Sequence, residues 1–401
     1  MVVVSGDPTL RAAELMTTDE VAERLGVKPA TVYAYVSRGL LSSRRNADGK
    51  KSLFSKGDVD EFVAGRKRTT PDIRTGVTLI KEKELFYRGR DAVVLARTAS
   101  YEAVVHLLWT GELEHLDFPV NHKLVELASA VTRPLPGTAR LTDRLRVTVA
   151  AVAAADPLRF DTAPAAVVAT GRQLLAVMVH ALPSRTGVHT TKPISLAEAL
   201  WSRLTAEPPT EAGLRILNAA LVLLADHDLA ASTVAARVAA STRAHPYAVV
   251  SAGLAALDGP LHGAASALAY PLILEAANGL DPVAGISDRL RSGLPVPGFG
   301  HLLYPGDDPR ATALLEMLEE GRIRQTATRL AEAMRTRSGA APNVDLALAA
   351  LALHHRMPAD AGEAIFAVAR TAGWLAHALE EYVDQPSRFR PSGRYAGRSP
   401  V

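Results

Sequence analysis

Side chains that can carry proton-transfer chemistry are concentrated between residues 224 and 310. Three histidines of this stretch lie in short motifs, and Arg310 ends it. One of them, His262, belongs to the turn sequence Gly-Pro-Leu-His-Gly at residues 259–263, immediately before an apolar run that predicts a helix over residues 264–277. The unpaired amides and the dipole at a helix start disfavour a protonated imidazole. A neutral imidazole there can donate a hydrogen bond to a carbonyl that is becoming an enolate.

Further short motifs with histidine, arginine or aspartate follow one another along the second half of the chain. They are His227-Asp228-Leu229, Gly259-Pro260-Leu261-His262-Gly263, Pro297-Gly298-Phe299-Gly300-His301, Asp308-Pro309-Arg310-Ala311, Pro342-Asn343-Val344-Asp345, Arg370 within the apolar run 361–382, and Phe389-Arg390-Pro391. In type and in order these motifs resemble the citrate synthase family. The resemblance covers about residues 70 to 401.

This resemblance implies a transferase that condenses acetyl-CoA with oxaloacetate and hydrolyses the resulting citryl-CoA, as in the tricarboxylic acid cycle. Removing a weakly acidic methyl proton beside a thioester requires a positioned base and a donor that stabilises the enolate oxygen. By motif, Asp345 is that base and His262 the donor, while His301 polarises the ketone of oxaloacetate. The resemblance implies no metal and no cofactor beyond the CoA thioester, which is a co-substrate.

Oxaloacetate carries two carboxylates, which need paired and preferably bidentate cations when they are buried. The resemblance assigns this binding to His227, Arg310, Arg370 and Arg390. Arg390 would reach the site of the neighbouring subunit, which implies a homodimer with shared active sites. Taken singly, each of these residues is more often structural, and an aspartate such as Asp345 in a first helical turn is usually a capping residue. The ordered combination favours the catalytic interpretation.

Some positions depart from the family pattern, and two rival functions remain open. After His301 the family often carries basic residues, whereas residues 302–307 here read Leu-Leu-Tyr-Pro-Gly-Asp. The arginines at positions 322, 324, 329, 335 and 337 are candidates to replace that charge near the CoA phosphates. One rival is 2-methylcitrate synthase, which uses propionyl-CoA with the same residues. The other is a DNA-binding regulator that senses a metabolite with a non-catalytic synthase-like domain.

The first 68 residues predict a separate small domain. Thr17 and Glu20 have the spacing of a capping box, Pro29 opens a second helix, and residues 46–49 read as a hairpin turn before a closing helix. The arrangement resembles winged helix-turn-helix domains of the MerR and excisionase type. The entire formal excess of +3 lies in this segment, since the acidic and basic residues of the remainder cancel. The predicted DNA contacts are Lys28, Thr31 and Tyr33 near the recognition helix, and Arg44, Arg45, Lys50 and Lys51 on the wing. The alternative is a module that docks on protein.

Composition favours an all-α fold, because alanine and leucine dominate the long periodic segments and aromatic residues make up only 5% of the chain. The absence of cysteine excludes thiolate catalysis and thiolate zinc sites. No charge-free run reaches the roughly 18 residues of a membrane span, so we expect a cytoplasmic protein without a membrane partner. The predicted domains are a winged helix-turn-helix at 1–68, a large domain at 70–262, a small domain at 263–362, and a return to the large domain at 363–401.

Overall fold

The computed structural model describes residues 15–37, 41–45, 52–66, 73–187, 194–260, 262–293, 295–389 and 397. The chain divides into two compact units, Met1–Arg74 and Thr75–Val401. Both are built mainly from helices, which confirms the predicted all-α class. Among the described residues, no helix combines the length and the apolar character that crossing a membrane requires.

The first unit contains a helix-turn-helix beside a small antiparallel sheet. Its elements are β1 (Leu15–Thr17), α1 (Thr18–Leu25), α2 (Pro29–Ser37), β2 (Arg44–Arg45), β3 (Ser52–Ser55) and α3 (Lys56–Arg66), with strand order β1-β3-β2. The Thr17 side chain caps α1 and Glu20 returns the bond, which confirms the predicted capping box. Strand β1 was not predicted, and the predicted hairpin turn at 46–49 lies outside the described residues. Val21, Val32 and Phe54 are fully buried in this unit's own core.

The second unit begins with a three-stranded antiparallel sheet and continues as helices. The strands are β4 (Thr78–Lys81), β5 (Glu84–Tyr87) and β6 (Arg90–Asp91). The helices are α4 (Ala92–Thr98), α5 (Tyr101–Thr110), α6 (His122–Thr132), α7 (Leu141–Ala155), α8 (Pro164–His180), α9 (Leu196–Leu204), α10 (Glu211–Leu224), α11 (Ala231–Ser241), α12 (Pro246–Leu257), α13 (Ala265–Ala277), α14 (Pro282–Arg291), α15 (Pro309–Met317), α16 (Arg322–Ser338), α17 (Val344–His354) and α18 (Ala361–Val383). The predicted division of this unit at residues 262 and 363 stays a prediction.

Helix α18 is the centre of the second unit. It packs against α5, α7, α8, α10, α11, α12 and α13, and nearly all of its side chains are buried. Two glycines allow close approaches: a Cβ at Gly373 would collide with Asp226, and one at Gly253 in α12 would collide with Trp374. Because α18 is surrounded in this way, a charged side chain in its middle, such as Arg370, is enclosed by the core.

Candidate active site

His262 lies in the turn between α12 and α13, as its sequence predicts. Its amide donates to Gly259 O at 2.9 Å, and its Nε2 lies 2.8 Å from Ser232 Oγ at the start of α11. The ring meets the Phe366 ring edge-on, with 5.6 Å between centroids. Burial, and secondarily the charge of Arg370, lower the pKa of His262 to about 4. The imidazole is therefore neutral near pH 7, and the main cause is burial rather than the helix dipole.

His227 and His301 form a second cluster with Tyr304. The His227 and His301 rings are 5.1 Å apart, and His227 Nε2 lies 2.9 Å from the Tyr304 hydroxyl. The amide of Leu303 donates to His301 Nδ1 at 3.1 Å, so a neutral His301 carries its proton on Nε2. Burial lowers the pKa of both histidines, and the positive charge of Arg310 lowers them further. Both rings are therefore neutral hydrogen-bonding groups rather than cations.

Tyr304 was missed by sequence reasoning. From the sequence, residues 302–307 stand out only because they lack basic residues, yet this tyrosine is almost fully buried between the two histidines. The guanidinium of Arg310 lies 5.6 Å from the centre of its ring. An aromatic residue three positions after a histidine in a Gly/Pro-rich loop was the available signal.

The loop that supports His227 rests on a buried polar network. The Asp226 carboxylate accepts a hydrogen bond from Thr78 Oγ1 at 2.6 Å and lies 3.2 Å from His377 Nε2. Although burial alone would raise it, His377 and Arg370 hold the pKa of Asp226 below its usual value. Arg237 continues the network, 2.6 Å from His377 Nδ1 and 2.6 Å from Glu381. This arrangement fixes the backbone beside His227 to α18.

Arg310 is held by its neighbour Asp308. Its Nε and Nη2 donate to the Asp308 carboxylate at 3.0 and 2.8 Å, and its side chain is almost fully buried. The same carboxylate accepts the amide of Val344, the first residue of α17, at 3.2 Å. Among the described residues nothing binds Arg310 Nη1, which leaves that nitrogen available for an anion.

Arg370 is a buried guanidinium that is only partly satisfied. Its Nε donates to Leu224 O at 2.8 Å and its guanidinium lies over the Phe366 ring at 4.7 Å. Its Nη1 and Nη2 are buried and have no hydrogen-bond partner within the described chain. Burial lowers its pKa. Unpaired buried charge is destabilising, so two inward-facing N–H groups fit a carboxylate ligand.

Asp345 is the second residue of α17, which Asn343 caps by accepting the Asp345 amide at 3.0 Å. No hydrogen bond to the Asp345 carboxylate is present among the described residues. Burial raises its pKa to about 7; Arg310 lowers the value in part, and Asp308 raises it. A carboxyl group with this pKa can accept a proton near neutral pH without being fully protonated beforehand.

Electrostatic interactions with Arg310 and Arg370 connect most of the other predicted residues to one site. The charge of Arg310 acts on the pKa of His227, His301 and Asp345, while Arg370 acts on His227 and His262. The structure thus brings together six of the seven predicted residues. Arg390 lies outside the described residues, immediately after Phe389.

The predicted CoA-side arginines lie on or beside α16. Arg335 pairs with Asp307 at 2.6 Å, at the end of the loop that follows His301. Arg324 pairs with Glu320 at 3.0 Å. Arg335 is therefore the candidate that the structure connects to this loop, although its charge is partly neutralised by the aspartate.

The predicted nucleic-acid contacts are only partly described. Lys28 is exposed between α1 and α2, Thr31 lies in α2, and the Tyr33 side chain, also in α2, is 53% exposed. Arg44 and Arg45 form β2, and the structure describes only their backbone. Lys50 and Lys51 lie outside the described residues.

Two groups of possible metal ligands lie outside the site. They are Glu319, His354 and His355, and His106, Glu112 and Glu114, whose ligand atoms are within 4.8 Å of one another. Neither group contains a residue predicted to be catalytic.

Comparisons with known proteins agree in both parts of the chain. The family model described as the C-terminal domain of citrate synthase matches residues 67–392, and a helix-turn-helix model matches residues 15–67. A citrate synthase of Haloferax volcanii is 32% identical over 348 residues, which span 78% of this chain and 90% of the relative. The 2-methylcitrate synthase 2 of Corynebacterium glutamicum is 28% identical over 389 residues, spanning 89% of this chain and 97% of the relative.

A solved structure is also similar. It is the ternary complex of carboxymethyl coenzyme A and oxaloacetate with citrate synthase from Thermoplasma acidophilum, at 26% identity and a TM-score of 0.70. The match covers 83% of this chain and 96% of that structure.

Proposed function

Since the chain belongs to the citrate synthase family, we propose that it condenses acetyl-CoA with oxaloacetate and hydrolyses the citryl-CoA that forms. The observation that carries this proposal is Arg370, whose buried Nη1 and Nη2 lack partners among the described residues and whose charge acts on two neutral histidines. A dianionic keto acid would satisfy these donors, and neutral imidazoles can polarise its ketone and stabilise an enolate.

In this proposal the arginines hold oxaloacetate. Arg370 offers Nη1 and Nη2 together to one carboxylate of the substrate. Arg310 offers Nη1 to the substrate while Asp308 keeps the guanidinium oriented. His227, fixed by its contact with Tyr304, is a further ligand. Binding an anion removes the cost of the unpaired buried charge, so the substrate and the site stabilise each other.

Enolisation uses Asp345 and His262. The Asp345 carboxylate removes a proton from the thioester methyl group, and the electron pair moves to the thioester oxygen. We assign the Ser232 hydroxyl as the donor to His262 Nε2, so that the proton of the neutral ring lies on Nδ1 and can stabilise the enolate oxygen. A base with a pKa near 7 is matched to this proton transfer at neutral pH.

Carbon–carbon bond formation uses His301. The enolate carbon attacks the ketone carbon of oxaloacetate, and the Nε2 proton of His301 is positioned to reach the alkoxide oxygen that develops. The product of this step is citryl-CoA. Water then attacks its thioester carbonyl, and free CoA thiol and citrate leave.

The second candidate activity is that of a 2-methylcitrate synthase, favoured by the length of the match to the Corynebacterium glutamicum enzyme. One additional methylene changes binding in an apolar pocket by only about 1–3 kcal/mol, so the two substrates compete closely. The test is to incubate the protein and oxaloacetate with acetyl-CoA or propionyl-CoA and to identify the acid by mass spectrometry. Citrate as the faster product supports the first proposal, 2-methylcitrate supports the second, and formation of neither contradicts both.

We propose two types of partner besides the substrates. The first is a second copy of the chain, with Arg390 completing the neighbour's site, as the family resemblance implies. The second is DNA, supported by the helix-turn-helix match and by exposed Lys28 and Tyr33 at the second helix.

A purely sensory, non-catalytic role is less well supported, because a sensor does not need the raised pKa of Asp345. We also propose a cytoplasmic location, since CoA thioesters and oxaloacetate are intracellular metabolites.

A further inference from the structure

A cavity of about 540 Å³ lies apart from the proposed catalytic residues, none of which lines it. Its walls come from α6, α7, α8 and α9 and from the loops that follow α6 and α8. Among its described lining residues, three are arginine and two are histidine, and none is aspartate or glutamate. Its volume falls within the range of ordinary small-molecule sites. All the ionisable side chains among the described lining residues are therefore basic ones.

Arg203 is the most buried of these basic side chains. It lies near the end of α9 and is 8% exposed. Its Nε is buried without a partner, and the structure gives the guanidinium no hydrogen bond or ion pair within the described chain. Burial lowers its pKa, which reflects the same lack of a compensating negative charge. A buried arginine without a partner among the described residues is suited to bind an anion.

Neighbouring side chains add further hydrogen-bonding groups, of which Arg144 is charged and His180 is neutral near pH 7. Arg144 is tied to Thr132 O at 2.8 Å and has no acidic partner among the described residues. His180, at the end of α8, has its pKa lowered to about 4 by burial and by the charges of Arg203 and His122. Several donors that converge from different elements suit a ligand group with several oxygens, as a phosphate has.

The rest of the cavity is apolar. Val125, Leu182 and Ile194 line it beside the basic side chains. An inorganic ion would leave these walls in contact with water, whereas a ligand with an apolar body would cover them.

We propose that this cavity binds a small organic phosphate, with the phosphate group on Arg203 and Arg144 and the apolar body against Val125, Leu182 and Ile194. The ligand class follows from the buried Arg203 Nε without a partner, from the apolar walls, and from the absence of aspartate and glutamate among the described lining residues. This site is separate from the condensation site, and its occupancy does not depend on whether the proposed reaction is correct.

The test is calorimetric titration of the full chain with phenyl phosphate, in saturating oxaloacetate so that the catalytic arginines are occupied. Benzoate, phenol and inorganic phosphate are titrated in parallel. We expect saturable binding of phenyl phosphate at one site per chain, weaker binding of benzoate and inorganic phosphate, and none of phenol. Arg203→Met should weaken phenyl phosphate binding about 10- to 100-fold, the effect of losing charge-assisted hydrogen bonds. The control is Arg185→Met, an exposed arginine of the neighbouring loop that does not line the cavity.

Ser184→Glu provides a second variant that leaves Arg203 in place. It adds an acidic group to the half-buried cavity lining and should abolish binding, since its carboxylate competes with the phosphate. The proposal is overturned if phenyl phosphate does not bind saturably, or if both variants bind it as the wild type does. Benzoate binding as tight as that of phenyl phosphate would overturn the assignment to phosphates.

Discussion

Asp308 holds the guanidinium of Arg310 through two side-chain hydrogen bonds, of 3.0 Å to Nε and 2.8 Å to Nη2. One of its carboxylate oxygens also accepts the amide of Val344, where α17 begins. A single buried carboxylate thus joins a proposed substrate-binding arginine to the helix that carries the proposed base, Asp345. We therefore expect substrate binding and the pKa of the proposed base to be coupled through this group.

Asp308→Asn should change both properties. Loss of the charged partner frees Arg310 from its orientation, so kcat/KM for oxaloacetate should fall about 10- to 100-fold. The Asp308 charge also raises the pKa of Asp345. Without it that pKa falls, and the acidic limb of the kcat/KM profile, near pH 7 in the wild type, should move to lower pH. Initial rates between pH 5 and 8 test this, with exposed Asp307→Asn as control; an unmoved limb would refute the coupling.

Arg370→Met and Arg237→Met should have unequal effects on the free energy of unfolding. Arg237 is equally buried but is paired with Glu380 and with the fully buried Glu381, which also pairs with Arg388. Its removal breaks charge-assisted hydrogen bonds and should cost about 1.5–3 kcal/mol of unfolding free energy. Arg370 has two nitrogens without a partner in the described part of the chain, so the protein without ligand should lose little or no stability when this arginine is replaced. Oxaloacetate binding by Arg370→Met should weaken about 100-fold or more. Urea unfolding and calorimetry measure the two quantities, and equal destabilisation by both changes would contradict this difference.

Mixed dimers test whether sites are shared between subunits. Arg390→Ala and His262→Ala chains should each be inactive alone. Co-refolded at equal amounts, they should recover about a quarter of the wild-type rate, because half of the dimers are mixed and each mixed dimer holds one intact site. The control is the Arg390→Ala chain refolded by itself in the same way, which should stay inactive. Recovery absent from verified mixed dimers would show that Arg390 acts within its own subunit.

Lys28→Ala should weaken DNA binding without altering its sequence preference. A lysine that contacts a phosphate releases about one counterion, so the slope of log K against log salt should become shallower by about one. Fluorescence anisotropy with the full chain measures this slope, and Lys81→Ala, an exposed lysine of the second unit, is the control. An unchanged slope would remove Lys28 from the interface, and no salt-dependent binding by the wild type would favour a protein-docking module.

The local setting of several proposed site residues could be predicted from sequence, whereas their roles rest on the order of the motifs and stay a prediction. His262 follows a Gly/Pro turn, Arg310 follows Asp308-Pro309, and Asp345 follows a capping asparagine, so short motifs indicated their type and setting. Most helices likewise follow from apolar periodicity and caps, and the helical class is confirmed.

Long-range partners could not be predicted in the same way. His377 and Asp226 are 151 residues apart in sequence, and Arg237 and Glu381 are 144 apart. Their pairing depends on how α11 and the loop before it pack against α18, which no local pattern specifies. The same holds for Arg203, which reads as an ordinary helix-end arginine until the cavity around it is seen. Tyr304 was missed because its role depends on burial between two histidines.

The most direct test of the proposed mechanism is the initial rate of CoA thiol release by the wild type and by Asp345→Asn, with oxaloacetate and acetyl-CoA or propionyl-CoA. Calorimetry of oxaloacetate binding by both proteins accompanies the rates. We expect the change to lower kcat at least about 100-fold, the contribution of a general base, while oxaloacetate still binds. A variant that binds oxaloacetate and turns over at the wild-type rate would contradict Asp345 as the base, and a folded wild type that releases no thiol would contradict the synthase itself.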